Sequence, residues 1–264
     1  MKLLIVCVNY NSYNELDRYL NSIEKAAKVA DISVKVIIAD NSTNTEVHSY
    51  THFNNISVES REFNNLGYLG AAQRVINGIE DIRMYDYIAI SNVDIELDSS
   101  FLDILSRSHF DNRIAQIAPS IMSSSLNRDM NPKIVSPYSL KRLKQLLFMY
   151  SNPWIYYIYH ATAYRRKKIE RKKNEQNIYA GHGSFMLFTK HYFEIYNSLD
   201  YPIFLYGEEL YFAEQIRKAG LLVRYVPSLI IKDEEHVSTS TIKRKKYFEY
   251  NRQALSFIIE TYFK

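Results

Sequence analysis

The stretch Tyr87-Ile88-Ala89-Ile90-Ser91-Asn92-Val93-Asp94-Ile95-Glu96-Leu97-Asp98 constrains this chain more than any other. Its first half is apolar and partly β-branched, the pattern of a parallel strand buried on both faces. It then breaks into Ser, Asn and Asp. Ligands of an open α/β sheet bind beyond the carboxyl ends of its strands. A carboxylate at that edge can hold a divalent cation and, through it, a diphosphate. Asp94 also suits a cap for a short element opening near Asp98-Ser99-Ser100-Phe101.

Other strand ends repeat the pattern. Residues 3–8 form an apolar run followed by the polar turn Asn9-Tyr10-Asn11-Ser12. The spacing of Leu16, Tyr19, Leu20 and Ile23 predicts a helix over about 15–29. A second buried strand, 34–39, ends at Asp40-Asn41-Ser42-Thr43. Strand, helix and strand make a right-handed βαβ unit, which sets Asp40 on the same edge as Asp94. A short strand at 56–60 leads to Asn65-Leu66-Gly67-Tyr68-Leu69-Gly70. Gly67 and Gly70 permit a tight turn and close approach of a ligand. A helix from Ala71 to about Ile82 would offer its first N–H groups to an anion, although a plain loop has the same signature.

Farther on, a helix is expected at 101–108 and a strand at 114–119, placed near a sheet edge by Pro119. Residues 123–137 read as a polar loop. An apolar strand follows Gly181-His182-Gly183-Ser184, and an amphipathic helix follows Tyr206-Gly207-Glu208-Glu209 and stops at Gly220. Two short strands at 221–227 and 229–231 and a last helix over about 246–263 complete the pattern.

The 264 residues fit one large α/β domain, 1–264, with an insertion at 123–178. Cys7 is the only cysteine, so no internal disulfide forms and a reducing compartment is the simplest assumption. The apolar start, Met1 to Val8, is too short for a signal peptide and lacks a cleavage site. No stretch is apolar over a bilayer's width. These points predict a cytoplasmic protein, or one peripheral to the inner face of the cell membrane. Between Lys141 and Glu175 stand ten Lys or Arg and two Glu, a local charge of +8 against +4 for the whole chain. Basicity so confined argues against a nucleic-acid coat and for one anionic contact surface. The same segment carries Trp154 and is rich in tyrosine, a composition suited to a membrane interface and equally to two amphipathic helices with solvated charge. Pro153 is expected to split it into two helices.

Taken in order, these stretches resemble the family 2 glycosyltransferases of the GT-A fold, closest to the rhamnosyltransferase-like branch of bacterial surface-polysaccharide synthesis. Val8-Asn9-Tyr10-Asn11 is similar to that family's opening strand and turn, and Asp40-Asn41-Ser42 to its second, nucleotide-contacting strand end. Asn65 to Gly70 is similar to its glycine loop, and Asn92-Val93-Asp94 stands in place of its D-x-D metal motif. Tyr206-Gly207-Glu208-Glu209 is similar to its Tyr-Gly-Glu-Asp helix start, and Tyr250-Asn251 stands where many members have Arg-Asn. The likeness spans nearly the whole chain except roughly 123–178. The chain departs from the pattern at Asn92 for Asp, Gln73 for Asn and Glu209 for Asp.

The resemblance implies a GT-A, Rossmann-like, mostly parallel sheet flanked by helices, to which the composition of the unmatched stretch adds a helical basic and aromatic insertion. It implies transfer of a sugar, with inversion, from a nucleotide-diphosphate donor to a hydroxyl of a lipid-linked or oligosaccharide acceptor. Glu209 is the expected base, with Glu208 second. Val8, Asn9, Asn11, Asp40, Asn65, Gly67, Gln73, Asn92, Val93 and Asp94 would line the nucleotide-sugar site. Asp94 and His236 would hold Mg²⁺ or Mn²⁺, with Asp233 competing for the place of His236. The 141–173 segment would meet an anionic membrane or the acceptor. Two other classes stay open: a sugar nucleotidyltransferase, which needs a glycine-rich basic loop after its first strand, and a non-catalytic nucleotide-sugar-binding protein, in which the two glutamates would face away from Asp94.

Overall fold

The structure is a computed structural model that describes residues 1–44, 50–162, 174–233 and 244–264. Its strands are β1 (Lys2–Asn9), β2 (Ser33–Asp40), β3 (Ile56–Glu62), β4 (Tyr87–Ser91), β5 (Ile95–Leu97), β6 (Ile114–Ser123), β7 (Arg128–Asp129), β8 (Gln176–Ile178), β9 (Phe185–Thr189) and β10 (Leu222–Asp233). The helices are α1 (Tyr13–Ala27), α2 (Tyr68–Ile76), α3 (Phe101–Arg107), α4 (Leu140–Ser151), α5 (Pro153–Thr162), α6 (Lys190–Ile195), α7 (Glu208–Lys218) and α8 (Arg244–Tyr262).

The ten strands make one sheet in the order β3-β2-β1-β4-β9-β6-β10-β5, with β7 added to β6 and β8 to β10. β1, β2, β3, β4, β6 and β10 run one way; β9 runs against both β4 and β6. The expected mostly parallel, helix-flanked sheet is therefore borne out. Alternation along β1 shows why its sequence is an unbroken apolar run. Leu4, Val6 and Val8 face one core with α2, α7 and α8, while Leu3, Ile5 and Cys7 face the other with α1 and α3. Each such side chain contributes about 1.5–3 kcal/mol when fully buried. Cys7 is wholly buried, and burial pushes its thiol up to about 12, so it is an inert core residue.

Several elements differ from expectation, each for a local reason. Pro119 does not mark an edge: β6 runs on to Ser123 between β9 and β10. The register of β10 against β6 jumps from Val226↔Pro119 to Ile230↔Ser120, so the residue without an N–H sits at an irregularity in the ladder. That irregularity also joins the two expected strands at 221–227 and 229–231 into one. α2 begins at Tyr68 rather than Ala71 and ends at Ile76. The polar loop from 123 contains the short β7, which pairs with β6.

The 141–173 segment does break at Pro153. α4 opens on the side-chain cap of Ser139, whose Oγ accepts the Arg142 N–H at 3.2 Å, and α5 starts with the proline, whose missing N–H costs nothing at a first helical position. α4 lies against α8 and α5 against α4. None of the described helices is long and apolar enough to cross a membrane.

Candidate active site

β1, β2, β4 and β10 end on one edge of the sheet, and β9 begins there, with Phe185 opposite Ser91. At the β1–β2 end, Asn9 lies opposite Asp40 and both are buried. Asn9 Nδ2 donates to Asp40 Oδ1 and to Ser42 Oγ, each at 3.2 Å. Ser42 N–H donates to Asp40 Oδ1 at 3.0 Å, and the Tyr13 hydroxyl donates to Asp40 Oδ2 at 2.7 Å. The Asp40 carboxylate is thus held by its own neighbours, which satisfies a buried charge without a ligand. Asn11 is exposed, and its Oδ1 accepts the Thr43 N–H at 3.0 Å, tying the two strand-end turns together.

Asn41 carries this scaffold to the glycine loop: its Nδ2 donates to Gly67 O at 2.8 Å, and its Oδ1 accepts the Leu66 N–H at 3.1 Å. Gly67 has φ +78°, and a Cβ there would lie 2.0 Å from Phe204 O. The Tyr68 N–H donates to that same oxygen at 3.3 Å. The glycine is required by the close approach of the 201–206 loop. The expected free N–H groups are partly consumed by that loop. Gln73 also turns to it, its Oε1 accepting the Tyr201 N–H at 3.0 Å. Gln73, Leu66, Gly70, Arg74 and Phe204 help to line a groove of about 390 Å³ there.

The acidic residues gather on the other side. Asn92 N–H donates to Ser184 O at 2.9 Å, and Val93 and Asp94 are buried just before β5. The turn into α3 is made by Asp98, whose Oδ1 accepts the N–H of the N-cap residue Ser100 at 3.0 Å, and not by Asp94. Asp233, also buried, ends β10 opposite Ile95, the residue after Asp94. His236 lies outside the described residues. Among the described residues no three His, Cys, Asp or Glu converge as a metal-binding group.

Tyr68 identifies which acids share this space. Its hydroxyl donates to Gly183 O at 2.8 Å. Burial first, and then the negative charges of Glu208, Glu209 and Asp94, push the phenol well above its usual range. A Cβ on Gly183 would lie 3.2 Å from Glu209 Oε1, so the glycine lets that carboxylate approach the strand end. Tyr68 and Gly183 are neighbours of this edge that sequence reasoning did not single out; their signal was their placement inside two glycine-bearing turns.

The two glutamates differ. Glu208 is 6% exposed, and its Oε1 accepts the Tyr206 N–H at 3.0 Å. Burial, with the charge of Glu209 second, pushes its carboxyl up to about 8. Glu209 is part-exposed beside Gly183. Both follow Tyr206 and Gly207, consecutive residues at φ +71° and +86°. A tyrosine held at positive φ is backbone strain of the kind that collects at functional sites.

No family model matches the chain. It is 25% identical over 246 residues to the N-acetylglucosaminyl-diphospho-decaprenol L-rhamnosyltransferase of Mycobacterium tuberculosis, covering 86% of this chain and 74% of the relative. Its fold is similar to that of GalNAc-T7, crystallised with UDP, GalNAc and Mn²⁺, at a TM-score of 0.60 and 12% identity over 98% of this chain. The chain spans about half of that structure, 48%. It is also similar to S. aureus TarS 1–349 in complex with UDP-GlcNAc, at a TM-score of 0.57 and 12% identity, covering 99% of this chain and 67% of that one. The chain therefore has the GT-A fold, and the resemblance drawn from its motifs is borne out.

Proposed function

We propose that this chain is a glycosyltransferase that moves a sugar from a nucleotide-diphosphate donor to a hydroxyl of a lipid-linked acceptor, with inversion at the sugar carbon. The observation that carries the reading is that Glu209 lies against Gly183, next to Ser184, whose carbonyl accepts the N–H of Asn92 two residues before buried Asp94, at the carboxyl edge of a GT-A sheet. A non-catalytic binding protein has no need of a part-exposed carboxylate at that place. The turn after β1 is Asn9-Tyr10-Asn11-Ser12, without the basic glycine-rich loop that a nucleotidyltransferase needs for a triphosphate. The rhamnosyltransferase and the UDP-GlcNAc complex supply the nucleotide-sugar and lipid-linked parts of the proposal.

In this reading Glu209 takes the proton of the attacking acceptor hydroxyl. Glu208, buried and protonated near neutrality, suits that task poorly and instead fixes the Tyr206 turn through its Oε1. The Asn9–Asp40–Ser42 network holds the shape of the nucleoside side, with Asn11, Asn65 and Asn92 available to a donor. Asp94 stands one residue before Ile95, which pairs with Asp233, and the carboxylates of both are hard oxygen donors of the type that suits Mg²⁺ or Mn²⁺. Such an ion would neutralise charge on the leaving diphosphate. Asp94 would hold it, with Asp233 or His236.

The α4–α5 hairpin is proposed to rest on an anionic membrane. Phe148, Trp154, Tyr157 and Ile158 are 60, 65, 45 and 57% exposed, and Lys141 and Lys144 are exposed on the same hairpin. Each cation near such a surface contributes about 1 kcal/mol. Flotation with phosphatidylglycerol vesicles should show binding that fades with salt; no binding at low salt would remove the membrane from the reading. The function itself is tested with a panel of nucleotide-diphosphate sugars. Metal-dependent release of nucleotide from one of them is expected. Failure of all to bind or react would count against it.

A further inference from the structure

Three tyrosines from three separate elements meet beside Glu209. Tyr150 comes from α4, Tyr206 from the strained turn before α7, and Tyr247 from α8. The Tyr206 and Tyr247 rings are 5.3 Å apart and close to perpendicular, and Tyr150 lies 6.0 Å from Tyr247. Tyr156 of α5 adds its hydroxyl at 3.3 Å from that of Tyr247. All four are part-exposed, so rings and hydroxyls remain within reach of a ligand. Tyr206 stands three residues before Glu209 and its N–H donates to Glu208 Oε1 at 3.0 Å, which puts this ring next to the acidic pair.

We propose that Tyr150, Tyr206 and Tyr247 form an acceptor subsite that stacks a pyranose ring and turns one of its hydroxyls toward Glu209. The inference rests on the glycosyltransferase reading. Its chemistry is that of a sugar, which is apolar on the C–H faces of the ring and polar around its rim. A tyrosine matches both, with a flat apolar face and a hydroxyl at its tip. Tyr206 is the central member. Its φ of +71° is held from both sides: the Tyr201 hydroxyl donates to Tyr206 O at 2.5 Å, and Tyr206 N–H donates to Glu208 Oε1. The same turn sets the Tyr206 ring against Tyr247 and, three residues later, part-exposed Glu209 beside Gly183. The inserted hairpin thereby becomes part of the active site, since Tyr150 stands only two residues from exposed Phe148.

The rival role for these rings is packing alone, holding the hairpin to α8. Titration of octyl β-N-acetylglucosaminide, followed by saturation-transfer NMR, separates the two, with UDP plus Mn²⁺ titrated in parallel. Wild type, Tyr206→Ala, Tyr247→Ala and Tyr206→Phe are compared, with thermal unfolding as a control. The subsite predicts pyranoside binding to wild type that weakens about tenfold in each alanine variant, as for loss of one good aromatic contact. It predicts retention in Tyr206→Phe and unchanged UDP binding throughout. Equal pyranoside binding in all four proteins, with lowered unfolding temperatures in the alanine variants, would overturn it in favour of packing. Wild type that takes UDP but no pyranoside overturns the subsite alone. Wild type that takes the pyranoside as predicted but no UDP supports the subsite and strikes the nucleotide-sugar reading.

Discussion

The two halves of the carboxyl edge are built on opposite plans. At the ends of β1 and β2, buried Asn9, Asp40 and Ser42 satisfy one another, and the Tyr13 hydroxyl completes the Asp40 carboxylate. At the start of α7, Glu208 and Glu209 crowd together behind two residues of positive φ, and burial holds a proton on one of them. A satisfied network of buried polar groups rigidifies a shape. A buried carboxyl whose proton affinity is raised by burial and a like charge is a mark of functional sites. In the proposed reading the first half is a scaffold and the second the place where chemistry is done, and substitutions in the two should fail differently.

The largest effect is expected at Glu209. Glu209→Gln should lower kcat by on the order of 10³ with donor affinity kept, because a base acts only in the transition state. Rate measurements on Glu208→Gln beside it decide the assignment: a dead Glu208→Gln with an active Glu209→Gln reverses the two roles. Gly67→Ala attacks the clamp that joins the halves. With its Cβ 2.0 Å from Phe204 O and φ at +78°, it should cost about 2–4 kcal/mol in denaturant unfolding. An unchanged midpoint would show that the 201–206 loop is not held there.

Glu208 gives the comparison a pH signature. Its carboxyl, at about 8 in the folded chain, lies above its ordinary value of 4.5. The folded state therefore binds the proton more tightly, and this contribution to stability is complete below 4.5 and lost as pH rises through 8. Between pH 5 and 7, wild type should lose about 2 kcal/mol relative to Glu208→Gln. Parallel stability curves for the two proteins would show that Glu208 is not held protonated. The smallest effect belongs to the scaffold. Asp40→Asn removes one acceptor from a buried network and should cost about 1–2 kcal/mol of stability, with kcat nearly unchanged. A large kcat loss without a stability loss would erase the distinction between the halves.

Much of this was legible in the sequence where burial dictated composition. β1 and β4 are covered on both faces, so their apolar runs announce them, and the polar residues at their ends mark the edge. α1 shows its buried stripe, and Pro153 its helix break. Where tertiary context decides, local pattern misled. Pro119 sits in the middle of the sheet because the ladder shifts beside it, and β10 continues through the same irregularity. At the site, the partners of the expected residues were not legible. Asp40 and Gln73 turn to protein groups rather than outward, and Tyr68 meets Gly183 only through folding. The likeness of the 206–209 turn to a known motif marked the acids; nothing local marked the tyrosines of α4 and α8 that meet at Tyr206.

The claim at the centre of the account is that Asp94 and Glu209 belong to one reaction centre. It is tested most directly by nucleotide release from the accepted donor sugar, measured for wild type and Asp94→Asn with Mn²⁺ and with a chelator. The account predicts release by wild type with the ion, at least a hundredfold less with the chelator, and a similar loss in a folded Asp94→Asn, in line with removal of one strong electrostatic stabiliser. Equal release by both proteins, with and without the ion, would contradict it.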